Sequence, residues 1–305
     1  MLQIRHRTRY RYRRGVSFGE HRMMLRPREG PDQAIVEERL EIRPEPALVR
    51  TLTDVFGNTV RLVRFGDVRA RELVVESLVS LRHDPDANSI EAEETFPPRG
   101  APFEYPPDDV ADLTRALTPL GADPEGAVGT WAARFAPANG RGRVIEALTA
   151  MAEAIGDEFR YETRLLHAAR PAARTLDLRS GSCRDFAVLM MDAARRLGLA
   201  ARFASGYLLV ETNERGGGHT HAWTQVFLPS CGWIDFDPTN AAVGSARLVR
   251  VASTLEHWQA SPLHGVWNGS AGDYLGMEVD IDVAIDRRRR SEPRRLRSVG
   301  LARAG

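Results

Sequence analysis

The chain has 305 residues, enough for one large domain or two ordinary ones, and its hydrophobic fraction of 43% and charged fraction of 27% are those of a soluble globular protein. A formal net charge of +1 excludes a bulk electrostatic attraction to nucleic acid or to a membrane surface, so neither is expected as a partner. The N-terminal stretch MLQIRHRTRYRYRR shows no signal peptide, and no apolar run is long enough to span a bilayer. We therefore expect a cytoplasmic protein whose two cysteines, Cys183 and Cys231, are both free.

Residues 1–82 predict a β-rich N-terminal domain. Within 4–12, arginine alternates with other side chains at a period of two, and strand-like patterns recur at 36–42, 60–65 and 73–81. The stretches RPEP and DVFGN between them carry turn-forming residues. Short strands with regular turns favour a β-sandwich. We interpret the arginine stripe as a solvated strand face rather than an anion site.

The pattern changes after residue 82. Residues 83–107 are acidic and proline-rich, which predicts a linker or an extended wrap. Helical patterns at 108–117 and 144–155 and a helix from Cys183 are followed by strand patterns at 202–210, 221–228, 233–237 and 277–285. Helices followed by antiparallel strands indicate an α+β domain over 108–286, and the arginine-rich residues 287–305 predict a disordered basic tail. The predicted fold is thus α+β, with an N-terminal β-sandwich ahead of an α+β core.

Cys183 lies where the short stretch SGS meets a long apolar helix. At that position, the free N–H groups and the positive end of the helix dipole favour thiolate over thiol. The same N–H groups can stabilise an oxyanion. A free cysteine is also often a small buried hydrophobe, so the helix alone leaves both interpretations open.

Residues 219–240 contain a candidate base for the cysteine and a candidate group to orient that base. Their sequence, HTHAWTQVFLPSCGWIDFDPTN, predicts a hairpin. His221 and Asp237 are equidistant from Pro229, so we expect the hairpin to set the imidazole beside the carboxylate. Cys183, His221 and Asp237 would then be nucleophile, base and orienter. Asp235 shares a strand face with Asp237, and the pattern alone leaves open which of the two is the orienting carboxylate.

Two other interpretations of this segment were weighed. His219 and His221 form an H-x-H pair that could ligate a metal, but no third ligand of suitable spacing stands out, so no metal or other cofactor is predicted. Trp223 and Trp233 are expected to be core or wall residues, and Cys231 is interpreted as incidental to the turn.

Three motifs together resemble the transglutaminase-like superfamily, whose core shares the papain-like cysteine-hydrolase fold: GSCRDFAVLMMDAARRLGLAARFASGYL, HAWTQVFLP and GWIDFDPTN. The stretches YRYRRGVSFGEHRMMLRPR and DVFGNTV resemble the N-terminal domain of bacterial members, and LVRVASTLEHWQASPLHGVWNGSAGDYLGMEV resembles the C-terminal part, so the likeness extends to about residue 285.

The resemblance implies that the triad is Cys183, His221 and the aspartate of the DPT motif, Asp237. Gln225 departs from the glutamate of many relatives, which leaves the triad intact and changes the charge near the site. No calcium-binding insert is apparent, so no calcium dependence is implied.

The resemblance implies thiolate attack on an amide carbonyl to give an acyl-enzyme, which water or an amine resolves. We therefore predict a cysteine-dependent amide hydrolase or acyltransferase acting on a peptide or protein amide, including a glutamine-like amide. One alternative is a protein-crosslinking transglutaminase. Another is a non-catalytic binding module with a degenerate core, against which the complete triad argues. The sequence leaves the oligomeric state open.

Overall fold

The computed structural model describes residues 1–84, 87, 90–98, 101–137, 142–164, 168–209 and 220–285, so the predicted basic tail lies outside the described residues. The strands of the N-terminal region are β1 (Leu2–Met23), β2 (Gln33–Arg43), β3 (Leu48–Thr53), β4 (Thr59–Arg64) and β5 (Arg69–His83). The following helical part contains α1 (Pro107–Leu117), α2 (Ala127–Ala133), α3 (Val144–Glu158), β6 (Arg160–Tyr161), α4 (Ala172–Leu178), β7 (Ser180–Gly181) and α5 (Cys183–Arg196). The chain continues through β8 (Ala201–Leu208), β9 (His221–Leu228), β10 (Gly232–Asp237), β11 (Ala242–Val243), β12 (Leu248–Thr254), β13 (Leu263–Asn268) and β14 (Tyr274–Ile285), with short 3₁₀ turns at His257–Ala260 and Ala271–Asp273.

The N-terminal strands form one curled seven-stranded sheet, ordered β2-β5-β1-β4-β3, with β13 and β14 also paired to β1. The sheet curls because the first half of β1 pairs with β5 and β14, whereas its second half pairs with β4 and β13. The α+β class is confirmed, with this curled sheet in the place of the predicted sandwich domain. The arginine stripe on β1 forms ion pairs with neighbouring strands, such as Arg5 with Glu76 at 2.6 Å, which is how a solvated strand face is stabilised.

The C-terminal strand β14 pairs with β1 in continuous antiparallel register from Leu2 opposite Ile285 to Arg11 opposite Gly276. The predicted domain 108–286 therefore differs from the structure in its last strands, since β13 and β14 belong to the N-terminal sheet. An alternating pattern shows that one face of a strand is buried, but it does not show which sheet the strand joins. Ahead of α1, the Tyr105 hydroxyl accepts a hydrogen bond from the Ala200 amide at 2.7 Å, which ties this part of the chain to the core.

The core contains a five-stranded antiparallel sheet, ordered β11-β10-β9-β8-β12. Helix α5 packs on β8 and β9 with one face, while α2, α3 and α4 cover the rest of it. This explains why its sequence is apolar nearly all round, with Phe186, Met190 and Met191 fully buried. Among the described helices, none is long and apolar enough to cross a membrane.

Buried polar contacts join the curled sheet to the core. Arg250 of β12 donates to Asp32, the residue before β2, at 2.7 and 2.8 Å and to Asp235 of β10 at 2.8 Å. On β1, the two ring nitrogens of His6 lie 3.0 Å from the hydroxyls of Tyr207 and Thr8. The two sheets are thus held together by specific hydrogen bonds as well as by packing.

The contact at His6 predicts a loss of stability in mild acid. Burial lowers the pKa of His6 to about 4, whereas an unfolded histidine titrates near about 6.5. As the pH falls between these values, the unfolded chain takes up a proton that the folded chain does not, so the free energy of unfolding falls by about 3 kcal/mol. Urea denaturation at pH 7 and pH 4.5 should show this loss, and His6→Gln should remove most of it. The exposed His264 supplies the control, His264→Gln, and an unchanged pH dependence in His6→Gln would contradict the assignment.

Candidate active site

The start of α5 fixes Cys183. Ser182 is the N-cap residue, and its backbone N–H and hydroxyl donate to the Asp185 carboxylate at 2.7 and 2.9 Å. Arg164 binds the same carboxylate at 2.7 and 2.8 Å. Gly181 lies so close to the helix that an added Cβ would come 2.7 Å from the Asp185 Cβ, which explains the glycine before the cap. The helix therefore begins at Cys183, which places this residue in the first turn.

His221, at the start of β9, and Asp237, at the end of β10, are joined by a hydrogen bond of 2.8 Å between Nε2 and Oδ2. Both residues are 1% exposed. The carboxylate also accepts from the Thr239 amide at 3.0 Å and from the Asn240 side chain at 2.8 Å, which holds it in place. Because the ionised carboxylate can only accept, Nε2 carries the hydrogen, and Nδ1 is the free acceptor of the neutral ring. Nδ1 is buried and makes no hydrogen bond of normal geometry within the described residues.

The charges of the three groups are coupled. Burial acts to lower the pKa of His221, but the charge and hydrogen bond of Asp237, together with the adjacent Cys183 thiolate, outweigh it and raise that pKa. Burial acts to raise the pKa of Asp237, but the imidazolium of His221 and the other donors outweigh it and lower that pKa. These surroundings therefore stabilise the imidazolium that forms when His221 takes up a proton.

The hairpin differs in register from the prediction. Gly232 lies opposite Leu228 and Phe236 opposite Thr224, so the turn is centred on Ser230 and not on Pro229. Asp237 is consequently a diagonal neighbour of His221 instead of its direct partner. The two still share a face because side chains on a strand alternate with a period of two.

The structure also shows that the two aspartates, Asp235 and Asp237, have different partners. Asp235 accepts from the indole N–H of Trp223 at 2.6 Å and from the amide of Gln225 at 2.7 Å, and it is ion-paired with Arg250. It makes no hydrogen bond to His221 among the described contacts. Gln225 belongs to this buried network and does not line the cavity at the triad, so its departure from glutamate changes the charge beside Asp235 and not the cavity wall.

The remaining predicted residues lie apart from the triad. His219 is outside the described residues, and no cluster of three potential metal ligands occurs in the part of the chain that the structure describes. Trp223 is fully buried, and Trp233 stacks under the Arg202 guanidinium at 4.0 Å. Cys231 lies in the hairpin turn.

Tyr161 is a site residue that the sequence reasoning missed. Burial raises its pKa, and the charge of the adjacent Cys183 thiolate and a hydrogen bond to it raise that pKa further. Its strand β6 is only two residues long and pairs in parallel with β7, directly before the cysteine helix. A two-residue strand has no periodic signal, so no sequence pattern could have found it. Its hydroxyl can donate to negative charge that forms on or beside the sulfur.

These residues meet at one cavity of about 430 Å³, lined by Cys183, His221 and Tyr161. Side chains of β1 and β14 form part of its wall, including His6, Thr8, Tyr10, Met277 and Val279. The N-terminal sheet therefore closes one side of the candidate active site. Its volume falls in the range of about 300–1,000 Å³ that is typical of small-ligand sites.

A nucleophilic cysteine in an active site should be alkylated faster than an ordinary thiol. We expect iodoacetamide at neutral pH to alkylate Cys183 before Cys231, although Cys183 is the more buried of the two, because Cys183 lies in the first turn of a helix and His221 beside it can accept the proton of the thiol. Peptide mass spectrometry after brief treatment measures both sites in one sample. Equal labelling, or faster labelling of Cys231, would contradict an activated Cys183.

The chain matches two family models, the bacterial transglutaminase-like N-terminal region over residues 2–81 and the transglutaminase-like superfamily over residues 130–238. It is 29% identical over 296 residues to an uncharacterized protein of Mycobacterium tuberculosis, covering 92% of this chain and 91% of that one. A shorter match, 36% identical over 69 residues, covers 21% of this chain and 10% of a protein-glutamine gamma-glutamyltransferase of Pseudomonas aeruginosa.

The fold has a close solved counterpart. The crystal structure of a candidate cysteine protease from Cytophaga hutchinsonii superposes with a TM-score of 0.68 at 18% identity, covering 93% of this chain and 91% of that one. At this identity the likeness establishes the shared fold. Its extent shows that the curled sheet and the core occur together in both proteins. The family models thus place the core of the chain, residues 130–238, in the transglutaminase-like superfamily, preceded by a bacterial transglutaminase-like N-terminal region over residues 2–81.

Proposed function

We propose that this protein is a cysteine-dependent amide hydrolase or acyltransferase, with Cys183 as nucleophile, His221 as general base and acid, and Asp237 as the orienting carboxylate. The observation that carries the proposal is the 2.8 Å bond from His221 Nε2 to Asp237, which leaves Nδ1 as the acceptor beside the thiol. Membership of a superfamily with cysteine-dependent chemistry supports the same assignment.

In the proposed reaction, His221 Nδ1 takes the proton of the Cys183 thiol, and the sulfur attacks the carbonyl carbon of an amide. The oxyanion that forms is stabilised by the backbone N–H at the start of α5 and by the Tyr161 hydroxyl. The C–N bond then breaks, and the imidazolium gives its proton to the leaving amine. Water or an amine then attacks the carbonyl carbon of the thioester while His221 takes its proton. The C–S bond breaks, the imidazolium returns the proton to the Cys183 sulfur, and an acid or a new amide is released.

The protein-crosslinking alternative is favoured by the match to the Pseudomonas glutamyltransferase, although this match covers only 21% of the chain. Transfer requires an amine to reach the thioester before water does, which calls for a water-poor channel shaped for that amine. Since no described feature provides such a channel, we infer that hydrolysis dominates.

Partition between water and an added amine tests this inference. The chain contains no lysine, so it cannot crosslink itself through lysine side chains and an outside amine must be supplied. Incubation of the protein with glutamine-containing peptide amides, excess primary amine and mass-spectrometric detection should yield mainly the free acid. Cys183→Ala should yield neither product. If the amine adduct dominates at millimolar amine, transfer is the native reaction and the order of the two functions is reversed.

A further inference from the structure

The charged side chains that line the cavity over the triad are all of one sign. Although the chain carries 41 acidic and 42 basic side chains, no aspartate or glutamate occurs among the described residues that line the cavity. The basic side chains of its wall are instead Arg164, Arg184, His6, His221, His257 and His264. A cleft lined by one sign of charge concentrates ligands of the opposite sign.

Only one of the two arginines has an uncompensated charge. Arg164 is paired with the buried Asp185 carboxylate. Arg184, the residue after Cys183, donates to the backbone carbonyl of Arg164 and has no carboxylate within ion-pair distance in the described part of the chain. A guanidinium binds carboxylates with two parallel hydrogen bonds. Arg184 offers such a pair of N–H donors in the first turn of the helix that carries the nucleophile.

The rest of the wall agrees with an anionic ligand. The Nδ1 atom of His257 is buried and has no hydrogen-bond partner among the described residues. His257 and Arg184 both line the cavity, and burial, then the positive charge of Arg184, lower the pKa of His257, while the charge of Asp185 acts to raise it. Around them are apolar and aromatic surfaces such as Tyr10, Met277 and the largely exposed Trp258, which suit the hydrocarbon part of a substrate.

We propose that the substrates of this site carry a carboxylate close to the scissile amide and that Arg184 binds it. This inference rests on the proposed function, since it names the substrate class of the same site. The carboxylate can come from an acidic side chain or from a C-terminus, which present the same chemistry to the guanidinium. Arg184 is then a specificity-determining residue supplied from the position next to the nucleophile.

The test uses matched alkylating reagents and needs no known substrate. Iodoacetate and iodoacetamide react in the same way, the sulfur forming a bond to the methylene carbon as iodide leaves, but only iodoacetate carries a carboxylate. The measured quantity is the ratio of their rates at Cys183, with Cys231 as the internal reference. We expect that ratio to be about tenfold higher at Cys183 than at Cys231 in the wild-type protein.

Arg184→Gln should bring the Cys183 ratio down by most of that factor, because the carboxylate of iodoacetate loses its partner, while iodoacetamide should still label Cys183 before Cys231. Arg13→Gln, at an exposed position on β1 that does not line this cavity, is the matched control and should keep the wild-type ratio. Rapid iodoacetamide labelling with a ratio that Arg184→Gln does not change would overturn this inference alone. Loss of preferential Cys183 labelling by iodoacetamide in the wild type would instead overturn the proposed function.

A protection experiment distinguishes the two sources of the carboxylate. N-acetylglutamine has a free α-carboxylate and a neutral side chain, whereas N-acetylglutamic acid α-amide has the reverse arrangement. Whichever compound slows iodoacetamide labelling of Cys183 in the wild type, but not in Arg184→Gln, identifies the carboxylate that is bound. Protection by neither at millimolar concentration would overturn the assignment of a carboxylate substrate.

Discussion

Asp237→Asn is expected to lower kcat/KM for amide cleavage by about 10³–10⁴-fold while the protein stays folded. The asparagine side chain has the same shape, but it presents an amide N–H₂ or a neutral oxygen to His221 Nε2. It therefore no longer fixes the tautomer in which Nδ1 accepts the thiol proton, and it no longer stabilises the imidazolium. Steady-state kinetics on an amide substrate, with circular dichroism to confirm the fold, measures the loss.

Asp235→Asn is the matched control because it makes the same chemical change two residues away on the same strand face. Asp235 is ion-paired with Arg250 and hydrogen-bonded to Trp223 and Gln225, so its loss should lower the free energy of unfolding, by up to about 3–5 kcal/mol for a broken buried pair. The activity of the protein that remains folded should fall much less than in Asp237→Asn. If Asp235→Asn is the more damaging to kcat at equal folded fraction, the assignment of the orienting carboxylate is wrong.

Cys183→Ala is expected to abolish amide cleavage, a loss on the order of 10⁶-fold as for other catalytic nucleophiles. Removal of the sulfur removes the atom that forms the acyl-enzyme, and nothing else in the cavity replaces it. The small side chain suits the first turn of α5, so the folded structure should persist. Product formation by mass spectrometry, compared with the wild type at equal concentration, measures the effect.

Cys231→Ala is the control for general effects of removing a thiol. It lies in the hairpin turn at Ser230, away from the cavity, and should leave the rate within about twofold of the wild type. If Cys183→Ala keeps activity and the added substitution Cys231→Ala abolishes it, the nucleophile is Cys231 and the assignment of Cys183 is wrong.

The local parts of the site were predictable from the sequence because each depends on a short pattern. A glycine and a serine ahead of an apolar helix locate Cys183 at its first turn, and the two strands around PSCG form a hairpin that brings His221 near Asp237. The register of that hairpin was wrong by two residues. The error did not separate the pair because an even shift keeps both side chains on the same face.

Long-range pairing was less predictable. The alternating pattern of β14 identifies a half-buried strand, but only the structure shows that β14 joins β1, some 270 residues earlier in the chain. The wall that His6 and Val279 provide for the cavity follows from this pairing and therefore has no local signal. The choice between Asp235 and Asp237 likewise depended on contacts with Arg250 and His221 that no spacing encodes.

The central claim is that Cys183 becomes covalently acylated, and peptide mapping of the trapped intermediate tests it most directly. The protein is mixed with an activated amide or ester substrate, quenched in acid within the first turnover and digested, and the acylated peptide is identified by mass spectrometry. We expect the acyl mass on the peptide that contains Cys183, and its absence from the same peptide in Cys183→Ala. In Asp237→Asn the adduct should form far more slowly. Turnover of the substrate without any adduct on Cys183, or with the adduct on another residue, would contradict the account.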